Sequence, residues 1–141
     1  RDSMDLYYHR HGGIHLVVLD GIADLIRSAN DEAESIAIVD EVYRLAGIYK
    51  TCIICVLHFV PNGIKLRGHI GSELQRKAAA ILSIEKDESP AYSVVKAIKV
   101  RDGSPFDVPK LLLTWVKQKD MHVSAGHHKR NLPKPEENHV H

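Results

Sequence analysis

Apolar positions along this chain follow two patterns, short unbroken runs and helical repeats. The run His15-Leu16-Val17-Val18-Leu19-Asp20 follows Gly12-Gly13 and does not alternate, so it predicts a strand buried on both faces. Upstream of it, residues 3–10 predict the last turns of a helix ending at Gly12. Residues 31–46 predict a longer helix. Asp31 with Glu34 resembles a capping box, and Ile36, Val39, Val42, Tyr43 and Ala46 recur at helical spacing, with Gly47 the expected terminator. Thr51-Cys52-Ile53-Ile54-Cys55-Val56-Leu57 predicts a second strand buried on both faces, broken by Pro61-Asn62-Gly63. A polar, basic loop is expected over 61–71, and Ser72 with Gln75 predicts a short helix from there to Ala79.

Three further strands are expected at 80–84, 92–100 and 111–116. Glu88-Ser89-Pro90 turns the chain between the first two, and Asp102-Gly103-Ser104-Pro105 makes the last two a hairpin. From Ser124 to His141 the chain holds Pro133, Pro135 and mixed charges with few core formers, which predicts a flexible tail. Buried strands alternating with helices and followed by a hairpin predict an α/β fold. The expected organisation is a core over 1–123 and a tail over 124–141.

Composition narrows the class. The chain has 141 residues, 44% of them hydrophobic and 26% charged, which suits a globular domain. Nineteen Lys and Arg against 18 Asp and Glu leave a net charge of +1, so no overall field marks a nucleic-acid or membrane binder. The longest apolar run, Cys52 to Leu57, falls far short of the ~20 residues that span a bilayer. The amino end has no basic-then-apolar segment of the secretory kind. A soluble, cytoplasmic protein without membrane partners is the expectation. Two cysteines exclude a disulfide-rich scaffold. Cys52 and Cys55 are an odd three residues apart on a strand, hence on opposite faces, and read as small buried hydrophobes. Of ten histidines, His122, His127, His128, His139 and His141 lie in or beside the tail without carboxylate or Cys partners at ligand spacing.

Candidate chemistry sits at strand ends. In open α/β sheets ligands bind beyond the carboxyl ends of the strands, where Asp20 stands. A carboxylate there suits Mg²⁺, which takes hard oxygens and keeps waters; the plain alternative is that Asp20 caps the next turn. His58 ends the next strand and is expected near Asp20, either touching a terminal phosphate or simply facing solvent. Lys99 and Arg101 share one strand face beside a turn, as a pair aimed at a phosphate or as a solvated edge. The loop from Asn62 through Lys65, Arg67 and Gly68 is glycine-rich and basic, suited to tracking a phosphate backbone.

Taken together, these residues resemble the second half of a RecA-like motor core of the hexameric helicase branch, which includes DnaB-type and plasmid RepA-type replicative helicases. Val17-Val18-Leu19-Asp20 looks like the Walker B strand. Ile53 to His58 looks like the strand whose last residue senses the γ-phosphate, with His as in the RepA-like members. The segment Leu66 to Ala78 is similar to the stretch that follows, and Lys99-Val100-Arg101-Asp102-Gly103 matches a Lys-x-Arg-x-Gly pattern. The resemblance implies a partial RecA-like sheet, mostly parallel with a C-terminal hairpin, and a homo-oligomeric, six-membered ring acting on single-stranded DNA with ATP and Mg²⁺. It implies that Asp20 holds Mg²⁺ through water and that His58 couples the γ-phosphate to the loop. Asn62, Lys65, Arg67 and Gly68 would grip DNA. Lys99 and Arg101 would act across the subunit boundary, a role worth ~10³–10⁵ in rate.

Two parts of the family pattern are missing. No G-x-x-x-x-G-K-[ST] phosphate loop occurs, and no residue of the first fifteen fits the family's catalytic Glu. The expectation is therefore the C-terminal part of a plasmid or mobile-element helicase, inactive alone, with the missing pieces upstream of Arg1. The alternatives are a non-catalytic RecA-like module that docks on DNA or a motor, and a small hydrolase built on Asp20, Asp24 and His58. The hydrolase lacks a nucleophile motif such as G-x-S-x-G.

Overall fold

A computed structural model describes residues 1–58, 68–89 and 91–127. The chain is mixed α/β and divides into two compact units, Arg1–Ala78 and Ala79–His141.

The first unit opens with helix α1 (Asp2–His11), which stops at Gly12 as its sequence predicts. Strand β1 (Leu16–Asp20) leads through a 3-10 turn at Ile22–Leu25 into helix α2 (Glu32–Tyr49). Asp31 caps α2, its carboxylate accepting from the Glu34 N–H at 2.9 Å. The box is not reciprocal, because Glu34 instead takes the backbone N–H and the guanidinium of Arg27. Nor does Gly47 end the helix. The next turn buries Tyr49, whose ring packs on Tyr8 and whose hydroxyl donates to Asp5, so α2 continues to a left-handed Lys50. That burial outweighs the roughly 1 kcal/mol helix penalty of a glycine.

Strand β2 (Cys52–Val56) pairs parallel with β1, Leu16 opposite Cys52 and Asp20 opposite Val56. Helix α3 (Gly68–Lys77) begins four residues before Ser72, so the expected capping box lies inside it. Its position is set by packing. Ile70 is fully buried with Ile22 and Val39, and Leu19, Cys55, Leu57 and Leu74 close around them. Lys77 ties α3 to α2, with its ammonium 3.0 Å from Asp40 and 5.1 Å from the Tyr43 ring centre.

This core covers one face of the parallel pair. On the other, Leu16, Val18, Cys52 and Ile54 are exposed, Val18 by 56% and Ile54 by 46%. The expectation of strands buried on both faces is thus corrected, because the helices of this unit pack on one side only. Cys52 falls on the open face and is no buried hydrophobe; Cys55 is half-buried.

The second unit is an antiparallel meander of β3 (Ala80–Lys86), β4 (Tyr92–Val100), β5 (Leu111–Val116) and β6 (Met121–His127), adjacent in that order. β4 and β5 match their sequence-predicted bounds and pair as the expected hairpin. The parallel part of the fold is confined to β1 and β2, and four of the six strands are antiparallel. β6 was not expected. It takes in Ser124 to His127, assigned above to the tail, through a tight turn in which Asp120 is left-handed and Lys119 N–H bonds to Val116 O.

Candidate functional site

The parallel register fixes what gathers at the carboxyl end of β1 and β2. Asp20 is the last residue of β1 and faces Val56; His58 lies two residues beyond Val56, and both side chains are exposed. Asp20 thus ends β1 and His58 follows the end of β2, which puts both toward the carboxyl end of the parallel pair. A third polar group joins them. Gly21 is left-handed, φ +83°, and opens the 3-10 turn, with the Asp24 N–H on the Gly21 carbonyl at 2.9 Å. The Asp24 carboxylate folds back over Gly21, with Oδ2 2.5 Å from where a Cβ would sit. Asp24 therefore stands beside the end of β1 with Asp20. In the motor reading of the sequence Asp24 has no role; the clue was the Asp-Gly-x-x-Asp spacing after an apolar strand.

Two carboxylates are hard oxygen donors and fit a cation that keeps most of its waters, as Mg²⁺ does. They do not make a closed cage. Among the described residues no three His, Cys, Asp or Glu side chains gather to hold a metal. Asp20 and Asp24 would hold such an ion through water; its chemistry would be to neutralise phosphate oxygens.

Lys99 and Arg101 belong to the second unit. Lys99 lies on β4 opposite Ile81, half-buried, and Arg101 follows the strand with its N–H on the Ala79 carbonyl at 2.8 Å. Asp102, left-handed at φ 62°, then turns the chain away. β4 ends at Val100, so Lys99 is a strand residue and Arg101 belongs to the turn, and the two are not both on the strand as their spacing predicts.

Of the loop candidates, Asn62, Lys65 and Arg67 lie outside the described residues. Gly68 begins α3 at φ +63°, and a Cβ there would run into the Ala29 carbonyl and the Asn30 side chain. Close packing therefore accounts for this glycine. Burial pushes the Cys55 thiol above its ordinary value, away from the reactive thiolate. His122 and His127 are strand residues of β6, and the other tail histidines lie outside the described residues.

No protein-family model matches the chain, and no curated protein matches it. No described helix is long and apolar enough to cross a membrane.

Proposed function

We propose that this chain is the nucleotide-responding part of a ring-forming, DNA-dependent ATPase of the RecA-like kind, a helicase of plasmid or mobile-element replication. The observation that carries the reading is the placement of Asp20 and His58 toward the carboxyl end of a parallel pair. That is where ligands of open α/β sheets bind. Asp20, with Asp24 beside it, holds Mg²⁺ through water. His58 contacts the terminal phosphate and passes its presence into the chain that follows β2, where Lys65 and Arg67 meet single-stranded DNA. Lys99 and Arg101 stabilise transition-state charge in the site of an adjacent copy. The phosphate loop comes from outside these residues, in the intact cytoplasmic parent, so the chain alone turns over no ATP.

A second reading has one fact in its favour, that the 141 residues contain no phosphate-binding loop. In it the domain docks on DNA or on a motor without hydrolysis. One experiment separates the two. The protein expressed from its whole reading frame is assayed for ATPase with and without single-stranded DNA, beside Arg101→Ala and Asp20→Asn. The motor reading expects DNA-stimulated turnover that falls at least a hundredfold in either variant. It also expects turnover to recover in rings mixed from the two, since each supplies what the other lacks. DNA binding without turnover in the unmodified protein sinks the motor and leaves the docking module.

A further inference from the structure

The four-stranded sheet has a face that neither the core nor the proposed site uses. Directly opposed residues of antiparallel strands share a face, so the register writes it out row by row. Leu82 stands opposite Ala97. Ile84, Val95, Leu111 and His127 form the next row, and Lys86, Ser93, Leu113 and Ser124 the one after. Trp115 and His122 close it, their rings edge to face at 5.0 Å.

Three properties of this face stand together. It is apolar and open, with Leu82, Ile84 and Trp115 exposed by 61%, 66% and 50%. Its charged or titratable side chains in these rows are cationic or imidazole: Lys86, His122 and His127, all exposed. It carries no carboxylate. The only one on the four strands, Glu85, lies on the opposite face, where Lys96 holds it at 2.8 Å.

We propose that this face is a platform for single-stranded nucleic acid, with bases laid on Trp115 and the aliphatic rows, and phosphates met by Lys86, His122 and His127. The inference rests on the nucleic-acid part of the reading above and adds a second contact surface to the loop. A polyanion with flat apolar bases is the ligand that an apolar, carboxylate-free face complements. A second copy packed on the same face would set Lys86 and the imidazoles against their own kind with no carboxylate to pair them. An anionic bilayer would also meet the turn between β3 and β4, where Asp87 and Glu88 stand with no cation beside them in the turn.

The chain contains one tryptophan, so its emission reports on this face alone. The full chain is titrated with oligo(dT), reading Trp115 emission and, in parallel, the anisotropy of a labelled oligonucleotide. The expected result is saturable quenching that tracks the anisotropy. Trp115→Ala, folded by circular dichroism, should bind about tenfold more weakly, and Lys86→Ala should reduce the salt slope by about one. Anisotropy that rises while emission stays unchanged overturns the platform and leaves the loop as the DNA contact. No binding by either signal overturns both the platform and the nucleic-acid part of the motor reading. Two further results also overturn it. One is an emission change with phosphatidylserine vesicles and none with oligo(dT). The other is an emission shift with protein concentration alone, the mark of a second copy.

Discussion

The two units bury their apolar side chains to different depths. In the first, Ile22, Val39, Leu45, Tyr49 and Ile70 are buried, contributed by segments far apart in sequence. In the second, no described apolar side chain reaches that depth, and among the described residues the one buried is Ser83. A helix-covered parallel pair can seal a small core, because helices bring whole apolar stripes onto one sheet face. A lone four-stranded meander shares its apolar residues between two faces and seals neither. The first unit is thus held by packing, and the second by cross-strand pairing, with apolar surface left exposed.

The largest test of that contrast is a cavity in the first core. Ile22→Ala should cost about 2–5 kcal/mol, read from urea unfolding. Val95→Ala, at a half-buried position of β4, should cost only about 1 kcal/mol. Hydrogen exchange sharpens the test, since the Ile22 variant should lose amide protection across α2 and β2 and keep it across β4 and β5. An equal loss over all of them would show one cooperative block and erase the distinction between the units.

A smaller effect compares two glycines, one in each unit. Gly126 has positive φ and open space where a Cβ would point, whereas Gly68 has positive φ and the Ala29 carbonyl in the way. Gly126→Ala should meet only the backbone penalty, about 1–2 kcal/mol. Gly68→Ala adds overlap with a neighbouring backbone, typically about 1–3 kcal/mol more. Matching midpoints for the two variants would mean that the approach of α3 to Ala29 gives way freely.

The same contrast explains what could be read from the sequence. β4 and β5 were legible to the residue because β-branched and aliphatic runs are bounded there by strong turn formers. The Asp31 cap and the adjacency of β1 and β2 were legible too, since local chemistry and strand order suffice. Where distant packing decides, local signals misled. Gly47 stays helical because Tyr49 is buried beyond it, and α3 starts early because Ile70 completes the core. β6 carries few apolar residues and owes its existence to its partner strand, so its pattern gave no sign of it. Asp24 was grouped with Asp20 only in the hydrolase alternative; the left-handed Gly21 that folds its carboxylate back is invisible to periodicity.

The smallest effect concerns charge. In the first unit Glu41–Arg44 lies within α2 and Glu73–Arg76 within α3, so these two add little to the fold, and Lys77–Asp40 joins helices that the core already holds. In the second, Glu85–Lys96 bridges β3 and β4, joining strands that lack a deep core. Its hydrogen bond to Lys96 holds the Glu85 carboxyl below its ordinary value. A carboxylate depressed in the folded state stabilises above its unfolded pKa, about 4.3. That contribution fades as pH falls through the lower, folded value. The pair is largely open to solvent, so screening leaves roughly 0.2–1 kcal/mol. Glu85→Gln should therefore lower the urea midpoint slightly at pH 7, and the gap from the unmodified protein should narrow toward pH 3. A gap that stays constant with pH, or that ignores added salt, would mean that the bridge does nothing for strand pairing. The meander would then rest on its backbone ladder and whatever covers its apolar face.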